Sequence, residues 1–321
     1  PGTSENVGWE WGGTALAYRM PRQSAADGDG NGPADDYPGS LIGAGHEHTQ
    51  YLSEVAIPVP VISAGKDPAD LNVAHTLQEF ANVRGTLYDG LDWEMPRVGL
   101  AVAQNKLHFC WSTHAPGNPE DAGVTHGWCE LDLADPRPAG TWRVGGYPKY
   151  VTSDYLFPIP DAWADTHTPG QYLATGRYRD GGQAAQGPAL FAIGPASEGN
   201  PPSAGSTLPA TPLLLYESVE QANAHTLDGY HHSDEWSGGA WLTAGADSAV
   251  VLVGTKGQGD CWYGCADGTD APPWPEDCDR GWWSTRFQAQ MIFYDPDDLV
   301  AVTRGEMETW EPQPYATLDV D

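Results

Sequence analysis

The stretch Val98–Trp111 reads VGLAVAQNKLHFCW, and it consists of two short apolar runs on either side of Gln104-Asn105. Two polar residues between two strand-forming runs predict a tight β-hairpin. A second pair has the same design, because Ala240–Ala244 and Ala249–Gly254 flank a Gly-Ala-Asp-Ser turn. Hairpins that recur along the chain indicate an all-β fold.

Strand-like runs occur along the rest of the sequence as well. The chain contains 39 glycines and 28 prolines, and they are spread evenly, which is typical of many short strands joined by turns. The remaining predicted strands are rich in aromatic and β-branched residues, and they are Thr14–Met20, Ser40–Ala44, Tyr51–Ile57, Gly127–Leu133, Tyr172–Thr175, Ala189–Ile193, Leu213–Glu217, Phe287–Tyr294 and Tyr315–Val320.

Many evenly spaced strands with few helices predict a sandwich, a β-helix or a propeller. The recurring hairpin pairs favour the propeller, and a chain of 321 residues divides into five or six blades of four strands. In these features the chain loosely resembles secreted bacterial β-propeller proteins. We therefore predict a single β-propeller domain over residues 1–321, with a β-sandwich as the alternative. We also expect Trp9–Met20 and Tyr315–Val320 to complete one shared blade.

Two short helices are predicted from an Asp-Pro pair at the start of each. Asp67-Pro68 opens DPADLNVAHTLQEF, and Asp295-Pro296 opens DPDDLVAVTRGE, which Gly305 can close. Aspartate is a good N-cap residue, and proline is favoured at the first helical position.

The charge of the chain is strongly acidic. It has 44 Asp and Glu against 15 Lys and Arg, which gives a formal net charge of −29. Such a surface repels phosphate groups, so we expect no nucleic-acid partner. No apolar run approaches the about 20 residues of a membrane-spanning helix, so we expect no membrane insertion. The acidity indicates adaptation to high salt, carboxylates occupied by divalent cations, or both.

The five cysteines predict disulfides and therefore an exported protein. The chain begins at Pro1 without methionine, as a processed protein does, and we expect it to be secreted or at the cell surface. Cys110 and Cys129 lie in two apolar runs around a polar loop, which favours a bridge between them. Cys261, Cys265 and Cys278 predict one further bridge and one spare thiol, with zinc as the rival.

The segment that begins at Asp27 reads DGDGNGPADD and predicts a calcium loop. Oxygen ligands at alternate positions, followed by glycine, let one loop surround a hard cation. The segment lacks the glutamate that closes an EF-hand, because Pro38 stands at that position. The predicted calcium ligands are Asp27, Asp29, Asn31 and Asp35.

A His-x-His pair stands at His46 and His48. In a strand, residues two apart point to the same face, so both imidazoles would project together. Such a pair chelates copper, zinc or iron, or places two proton-transfer groups on one substrate. The next acid on that face, if the strand runs unbroken, is Glu54.

A third candidate segment is DGYHHSDEW, residues 228–236, in which Tyr230, His231 and His232 stand close to acids and a tryptophan. Mixed segments also occur at Arg177-Tyr-Arg-Asp and at Arg280-Gly-Trp-Trp. Each of these segments is typical of a site loop and also of an ordinary polar surface loop. Arg177 is predicted to bind a carboxylate or sulfate, or to belong to an internal ion-pair network.

Three functions remain open at this point. The first is a carbohydrate-active enzyme, a lyase or a hydrolase, on an extracellular polysaccharide, since 14 tryptophans and 14 tyrosines supply faces for sugar stacking. Its predicted catalytic residues are His46, His48, Arg177, Tyr230 and His232. The second is a transition-metal enzyme that uses His46 and His48 with His231 or His232. The third is a non-catalytic glycan-binding, surface-layer or filament subunit that associates with itself.

Overall fold

A computed structural model gives the fold, and it describes residues 7–21, 36–46, 49–89, 98–111, 122–177, 185–194, 202–219, 224–264 and 281–320. The chain is mostly β-strand, and its four sheets form the blades of a propeller. The predicted all-β class and propeller architecture are therefore confirmed, and the sandwich alternative is not adopted. The number of blades is four rather than five or six, because long connections such as residues 59–75 lengthen each blade.

Blades 1 and 2 come from the first half of the chain. Blade 1 consists of β1 (Leu16–Arg19), β2 (Asp36–Ala44), β3 (Leu52–Pro58) and β4 (Thr76–Ala81), which pair in that order. Blade 2 consists of β5 (Val98–Ala103), β6 (Lys106–Trp111), β7 (His126–Cys129) and β8 (Ala139–Val144). All of these neighbours are antiparallel.

Blade 3 begins with β9 (Tyr155–Pro158), and the helix α1 (Asp161–His167) joins β9 to β10 (Leu173–Gly176). It continues with β11 (Leu190–Ile193). A short strand, β12 (Thr207–Leu208), then pairs in parallel with β8 of blade 2, and β13 (Ala210–Leu214) completes blade 3. Blade 3 is thereby tied to blade 2 by backbone hydrogen bonds as well as by side-chain packing.

Blade 4 is made of longer strands, β14 (Glu235–Ala244), β15 (Asp247–Tyr263) and β16 (Trp282–Tyr294), which pair in that order. The helix α2 (Pro296–Thr303) follows, and the edge strand β17 (Ala316–Val320) pairs with β16. The first and last strands of the chain therefore lie in different blades. The prediction that the two ends complete one shared blade is wrong, because β1 pairs with β2 and β17 pairs with β16.

Among the residues that the structure describes, three hydrophobic cores lie between successive blades. Trp111 and Phe109 of blade 2 pack with Ile42 of blade 1. Phe191 of blade 3 packs with Trp142 of blade 2. Strand residues alternate between the two faces of a sheet, so each blade contributes one set of apolar side chains to each neighbour. The third core joins blades 3 and 4, and it includes Phe157, Tyr294 and Leu299 of α2.

The hairpin at Val98–Trp111 is confirmed, and both strands have the predicted bounds. Gln104 and Asn105 have φ values of 49° and 59°. Two consecutive residues with positive φ form the turn that matches the right-handed twist of the flanking strands, and asparagine tolerates that conformation.

One of the two predicted helices is present. In α2 the side chain of Asp295 accepts a hydrogen bond from Asp297 N, and Gly305 follows the helix with a φ of 68°. The helix predicted after Asp67 is wrong. Asp67 caps only a single 3-10 turn, Pro68–Asp70, and the chain then becomes strand β4 because it pairs with β3. Tertiary pairing here outweighs local helix propensity.

The predicted Cys110–Cys129 disulfide is wrong. Leu107 lies opposite Cys129 across β6 and β7, whereas Cys110 lies opposite His126. Positions 107 and 110 have opposite parity, so the two thiols project from opposite faces of blade 2. Cys110 is buried in the core that faces blade 3, and Cys129 in the core that faces blade 1. Both are free thiols, and so is Cys261; Cys265 and Cys278 lie outside the described residues.

In the part of the chain that the structure describes, no helix has the length and apolar character needed to cross a membrane.

Candidate functional site

The strongest candidate site is an aromatic cluster on blade 4, which we define as Tyr230, His232, Tyr263 and Trp282. The His232 ring stacks on Trp282 with ring centroids 4.5 Å apart and an interplanar angle of 25°. Tyr230 meets His232 edge-on, and its hydroxyl lies 3.4 Å from His232 Nδ1. Tyr263 contacts the other end of the cluster, since its ring centroid is 5.5 Å from that of Trp282.

Three parts of the chain bring the aromatic cluster together. Tyr230 and His232 belong to the loop that precedes β14. Tyr263 is the last residue of β15, and Trp282 is the first residue of β16, where the two strands pair directly. All four side chains are half-buried, so their rings are held in place while part of each remains accessible to solvent.

Asp234 fixes the loop against β15. Its Oδ1 accepts a hydrogen bond from Gly257 N at 2.9 Å, and its Oδ2 accepts one from His231 N at 3.0 Å. Lys256 Nζ also reaches Oδ2 at 2.5 Å and donates to the carbonyl oxygen of Gly229. The Asp234 side chain is only 1% exposed. Burial raises its pKa, and this effect exceeds the opposing effect of Lys256.

His231 forms a second anchor beneath the cluster. Its Nε2 lies 3.1 Å from the carbonyl oxygen of Gly259, which can only accept, so Nε2 carries the hydrogen. In the neutral ring Nδ1 is then an acceptor, and it lies 2.9 Å from the hydroxyl of Ser233 and 3.2 Å from that of Ser284. The two hydroxyls also contact each other, so one of them donates to Nδ1 and the other donates to its neighbour. A side chain at Gly257 would collide with both serines and with His231, so glycine is required there.

The His231 network resembles a nucleophile with a base, but its environment indicates a structural role. Both serine side chains are buried, and each hydroxyl already has partners inside the network. The neighbouring Cys261 thiol bonds to Ser233, and burial raises its pKa, which disfavours the reactive thiolate. The network therefore holds His232 and Tyr230 in place rather than attacking a substrate.

The predicted catalytic residues separate into two groups. Tyr230 and His232 are brought together in the aromatic cluster. Arg177 lies elsewhere, at the junction of blades 2 and 3, where its Nε is 3.3 Å from Asp154 Oδ2 and both side chains are almost fully buried. Of the two interpretations of Arg177, the structure shows the internal ion pair, and it places Arg177 apart from the aromatic cluster of blade 4.

His46 lies just beyond β2 in blade 1, where its backbone carbonyl accepts hydrogen bonds from Thr49 N and Gln50 N. Strand β2 ends at Ala44, so His46 is not part of a strand, and the condition under which Glu54 would share its face is not met. Glu54 lies in β3, buried, and accepts from Arg19, Ser40 and Gln78. His48 lies outside the described residues.

Metal sites were predicted at two places. The calcium ligands Asp27, Asp29, Asn31 and Asp35 all lie outside the described residues. Among the residues that the structure describes, no three His, Cys, Asp or Glu side chains converge closely enough to hold a metal ion. The predicted transition-metal centre of His46 and His48 with His231 or His232 stays a prediction, because His48 lies outside the described residues.

A second polar cluster, which the sequence did not indicate, is buried between blades 2 and 3. His126 Nε2 lies 2.9 Å from Thr175 Oγ1, and its Nδ1 lies 2.7 Å from Thr125 Oγ1. Burial lowers the pKa of His126 to about 3 and that of His108 to about 4. A cavity of about 10 Å³ beside these rings is the size of one water molecule, so it admits no substrate.

Sequence reasoning found the segment 228–236 and the Trp282 segment, but it missed the residues that hold them. Lys256, Ser284 and Tyr263 lie in strands far along the chain from Asp234. No local pattern marks them, because their role depends on the register of β15 with β16.

Comparisons with known proteins add nothing to this assignment. The chain matches no protein-family model, and it matches neither a curated protein nor a solved structure.

Proposed function

We propose that this chain is a secreted protein that binds an extracellular glycan at the aromatic cluster of blade 4. The observation that carries the proposal is the stacking of His232 on Trp282, with Tyr230 and Tyr263 beside them. Sugar rings have apolar C–H faces that pack on flat aromatic rings, and hydroxyls that bond to groups such as the phenol of Tyr230. A rigid, half-exposed aromatic surface suits that ligand.

The charges around the cluster favour a neutral glycan. Among the described residues, Lys256 beside the cluster is engaged by Asp234, and Arg177 is engaged by Asp154 in another junction. The chain as a whole carries a formal charge of −29, which repels polyanionic polysaccharides. A glycan without carboxylates or sulfates avoids this repulsion.

The binding proposal is tested by affinity electrophoresis of the full chain in gels that contain neutral or uronate-rich polysaccharides. At least one neutral polysaccharide is expected to retard the protein. The Trp11→Ala variant, whose exposed indole lies outside the cluster, is the control and should be retarded as much as wild type. Migration unaffected by every polysaccharide of the panel would contradict the proposal.

Cleavage of a polysaccharide by β-elimination is a second candidate. One contact favours this candidate. The Tyr230 hydroxyl lies 3.4 Å from His232 Nδ1, and this places a proton donor beside a proton acceptor. In that reaction one residue removes the proton next to a carboxylate, and the other protonates the departing oxygen. Loss of unsaturated product in both Tyr230→Phe and His232→Ala, with the melting temperature unchanged, supports this candidate. Retained product in either variant removes it.

Calcium binding by the Asp27 segment is part of the same proposal, because acidic loops of this pattern take hard cations through oxygen ligands. Elemental analysis of the untreated protein, with Asp29→Asn as the matched variant, tests it. We expect about one calcium per chain and loss of that calcium in the variant. A protein without calcium would contradict it.

A further inference from the structure

A second group of aromatic residues lies where blades 3 and 4 meet, and we define it as the α1 cluster: Trp163, His167 and Trp241. Trp163 and His167 are four positions apart in α1, so they share one face of that helix, and their ring centroids are 5.0 Å apart. Trp241 belongs to β14 of blade 4, and its ring centroid lies 4.7 Å from that of Trp163. All three side chains are partly exposed. Two blades therefore present one aromatic surface to solvent.

The two indoles of the α1 cluster are held in fixed positions. Trp241 Nε1 donates a hydrogen bond to the hydroxyl of Ser248 at 2.8 Å, and that hydroxyl donates to the carbonyl oxygen of Leu242 at 3.2 Å. Trp163 and Trp241 both pack on the hydrophobic core between blades 3 and 4. Their ring planes meet at 56°, so the two indoles form a rigid corner.

The α1 cluster and the aromatic cluster lie at opposite ends of blade 4. Trp241 pairs with Val250, close to the turn that joins β14 to β15, whereas Tyr263 is the last residue of β15. Tyr263 follows Val250 by 13 positions in this strand. At about 3.3 Å per residue, the two ends are roughly 40 Å apart. A short oligosaccharide therefore cannot contact both clusters at once.

The connections of blades 3 and 4 at this end are described except for one segment. Residues 159–172 join β9 to β10, residues 245–246 form the turn between β14 and β15, and residues 295–315 join β16 to β17. The connection from β11 to β12 contains the undescribed residues 195–201, but its described part leads to blade 2, where the carbonyl oxygen of Pro202 accepts a hydrogen bond from Trp142 Nε1. The described connections leave the three rings partly exposed, which favours an external ligand over a covering segment of these two blades.

The charges beside the α1 cluster favour a neutral ligand. Asp161 and Asp165 lie in α1, and Asp247 is the first residue of β15, where the turn ends. All three residues are exposed. Their carboxylates repel uronate and sulfate groups, as does the net charge of the whole chain.

We propose that the α1 cluster is a second, weaker binding site for the same class of neutral glycan, so that one protein chain links two glycan chains. This inference rests on the proposed function. A sugar ring packs its C–H face on one indole of the corner and its edge against the other, and the ring nitrogens of His167 bond to its hydroxyls.

The α1 cluster is the weaker of the two sites because it offers fewer and less parallel rings. It has three rings where the aromatic cluster has four, and its indoles are tilted by 56°, whereas His232 and Trp282 stack at 25°. The lack of one aromatic anchor corresponds to a dissociation constant at least about 30-fold higher. A weak second site still acts on a polymer, because a bound polysaccharide offers many copies of the ligand.

The test is cross-linking of the neutral polysaccharide that affinity electrophoresis selects, measured as the rise in light scattering when the full chain is added. Wild type should raise the scattering. Trp241→Ala and Trp282→Ala should each abolish the rise, because each variant keeps one site. His167→Ala, which leaves both indoles of the corner in place, should slow the rise at least about 3-fold.

Trp11→Ala is the matched control, since it removes an exposed indole outside both clusters, and it should scatter as wild type does. The melting temperature of each variant shows whether it is folded. Calorimetry with a short neutral oligosaccharide separates this inference from the proposed function. Trp241→Ala should bind the oligosaccharide at the aromatic cluster with the affinity of wild type, although it does not cross-link the polysaccharide.

Two outcomes overturn the second site and leave the proposed function intact. One is a wild-type chain that binds the oligosaccharide but does not cross-link the polysaccharide. The other is cross-linking by Trp241→Ala and His167→Ala that is as strong as that of wild type. A wild-type chain that binds no neutral glycan overturns the proposed function, and this inference with it.

Discussion

His232 stacks on Trp282 at a ring-centroid distance of 4.5 Å, although the two residues are 50 positions apart in the sequence. The contact depends on the loop before β14, in which Asp234 and His231 bond to Gly257 and Gly259 of β15. The aromatic cluster is therefore a product of the fold of blade 4. Substitutions of Asp234 or His231 should therefore lower the stability of the protein, whereas substitution of a ring of the cluster should lower its affinity for a glycan.

Replacing Asp234 by alanine should destabilise the protein strongly. The change leaves Lys256 with its charge unpaired and removes the acceptor for two backbone N–H groups. Breaking a buried pair in this way costs about 3–5 kcal/mol of unfolding free energy. Urea denaturation measures the effect.

The control for that prediction is Asp135→Ala. Asp135 pairs with Arg137 in an ion pair whose side chains are both about two-thirds exposed, and such pairs contribute about 0–1 kcal/mol. A loss of stability as small for Asp234→Ala as for Asp135→Ala would show that Asp234 does not anchor the loop.

Acid should weaken the junction between blades 2 and 3. His108 and His126 have folded-state pKa values of about 4 and about 3, below the ordinary 6.5. Below pH 6.5 the unfolded chain therefore binds protons that the folded chain excludes. The unfolding free energy consequently decreases as the pH is lowered. Linkage gives a loss of about 2 kcal/mol per histidine by pH 5.

The measurement for this prediction is the unfolding free energy between pH 7 and pH 5, in parallel with the ring resonances of both histidines. In the His108→Phe variant, the loss of unfolding free energy between pH 7 and pH 5 should be smaller by the contribution of one histidine. A His108 or His126 ring that titrates near pH 6.5 in the folded protein would contradict the prediction.

The thiols of Cys110 and Cys129 should be free and unreactive in the folded protein. Both are buried, and burial raises the pKa of Cys110 strongly and that of Cys129 to about 12. An alkylating reagent applied without reductant should label neither residue in buffer and both in denaturant. Mass spectrometry that finds a Cys110–Cys129 linked peptide would overturn the opposite-face arrangement.

Local signals in the sequence were sufficient where a feature depends on neighbouring residues. The hairpin at Val98–Trp111 was predicted with correct bounds because its two-residue turn is encoded locally. Helix α2 was predicted because Asp295, Pro296 and Gly305 mark its two ends. The aromatic segment at 228–236 was found because its unusual residues are contiguous.

Long-range pairing explains what the sequence could not show. Residues 76–81 have a helix-compatible pattern, but pairing with β3 makes them a strand. The opposite faces of Cys110 and Cys129 follow from a register that no local pattern reveals. Nothing in the sequence shows that Arg177 and Lys256 are paired. Each forms an ion pair with an aspartate that is distant in the sequence and that the fold brings near.

The most direct test of the account is the affinity of the full chain for the neutral oligosaccharide selected by affinity electrophoresis, measured by calorimetry for wild type and Trp282→Ala. Removing a central tryptophan from a binding site typically costs about 2 kcal/mol, so we expect at least about 30-fold weaker binding. Trp11→Ala should bind as wild type does. Equal affinity in wild type and Trp282→Ala would contradict the assignment of glycan binding to blade 4.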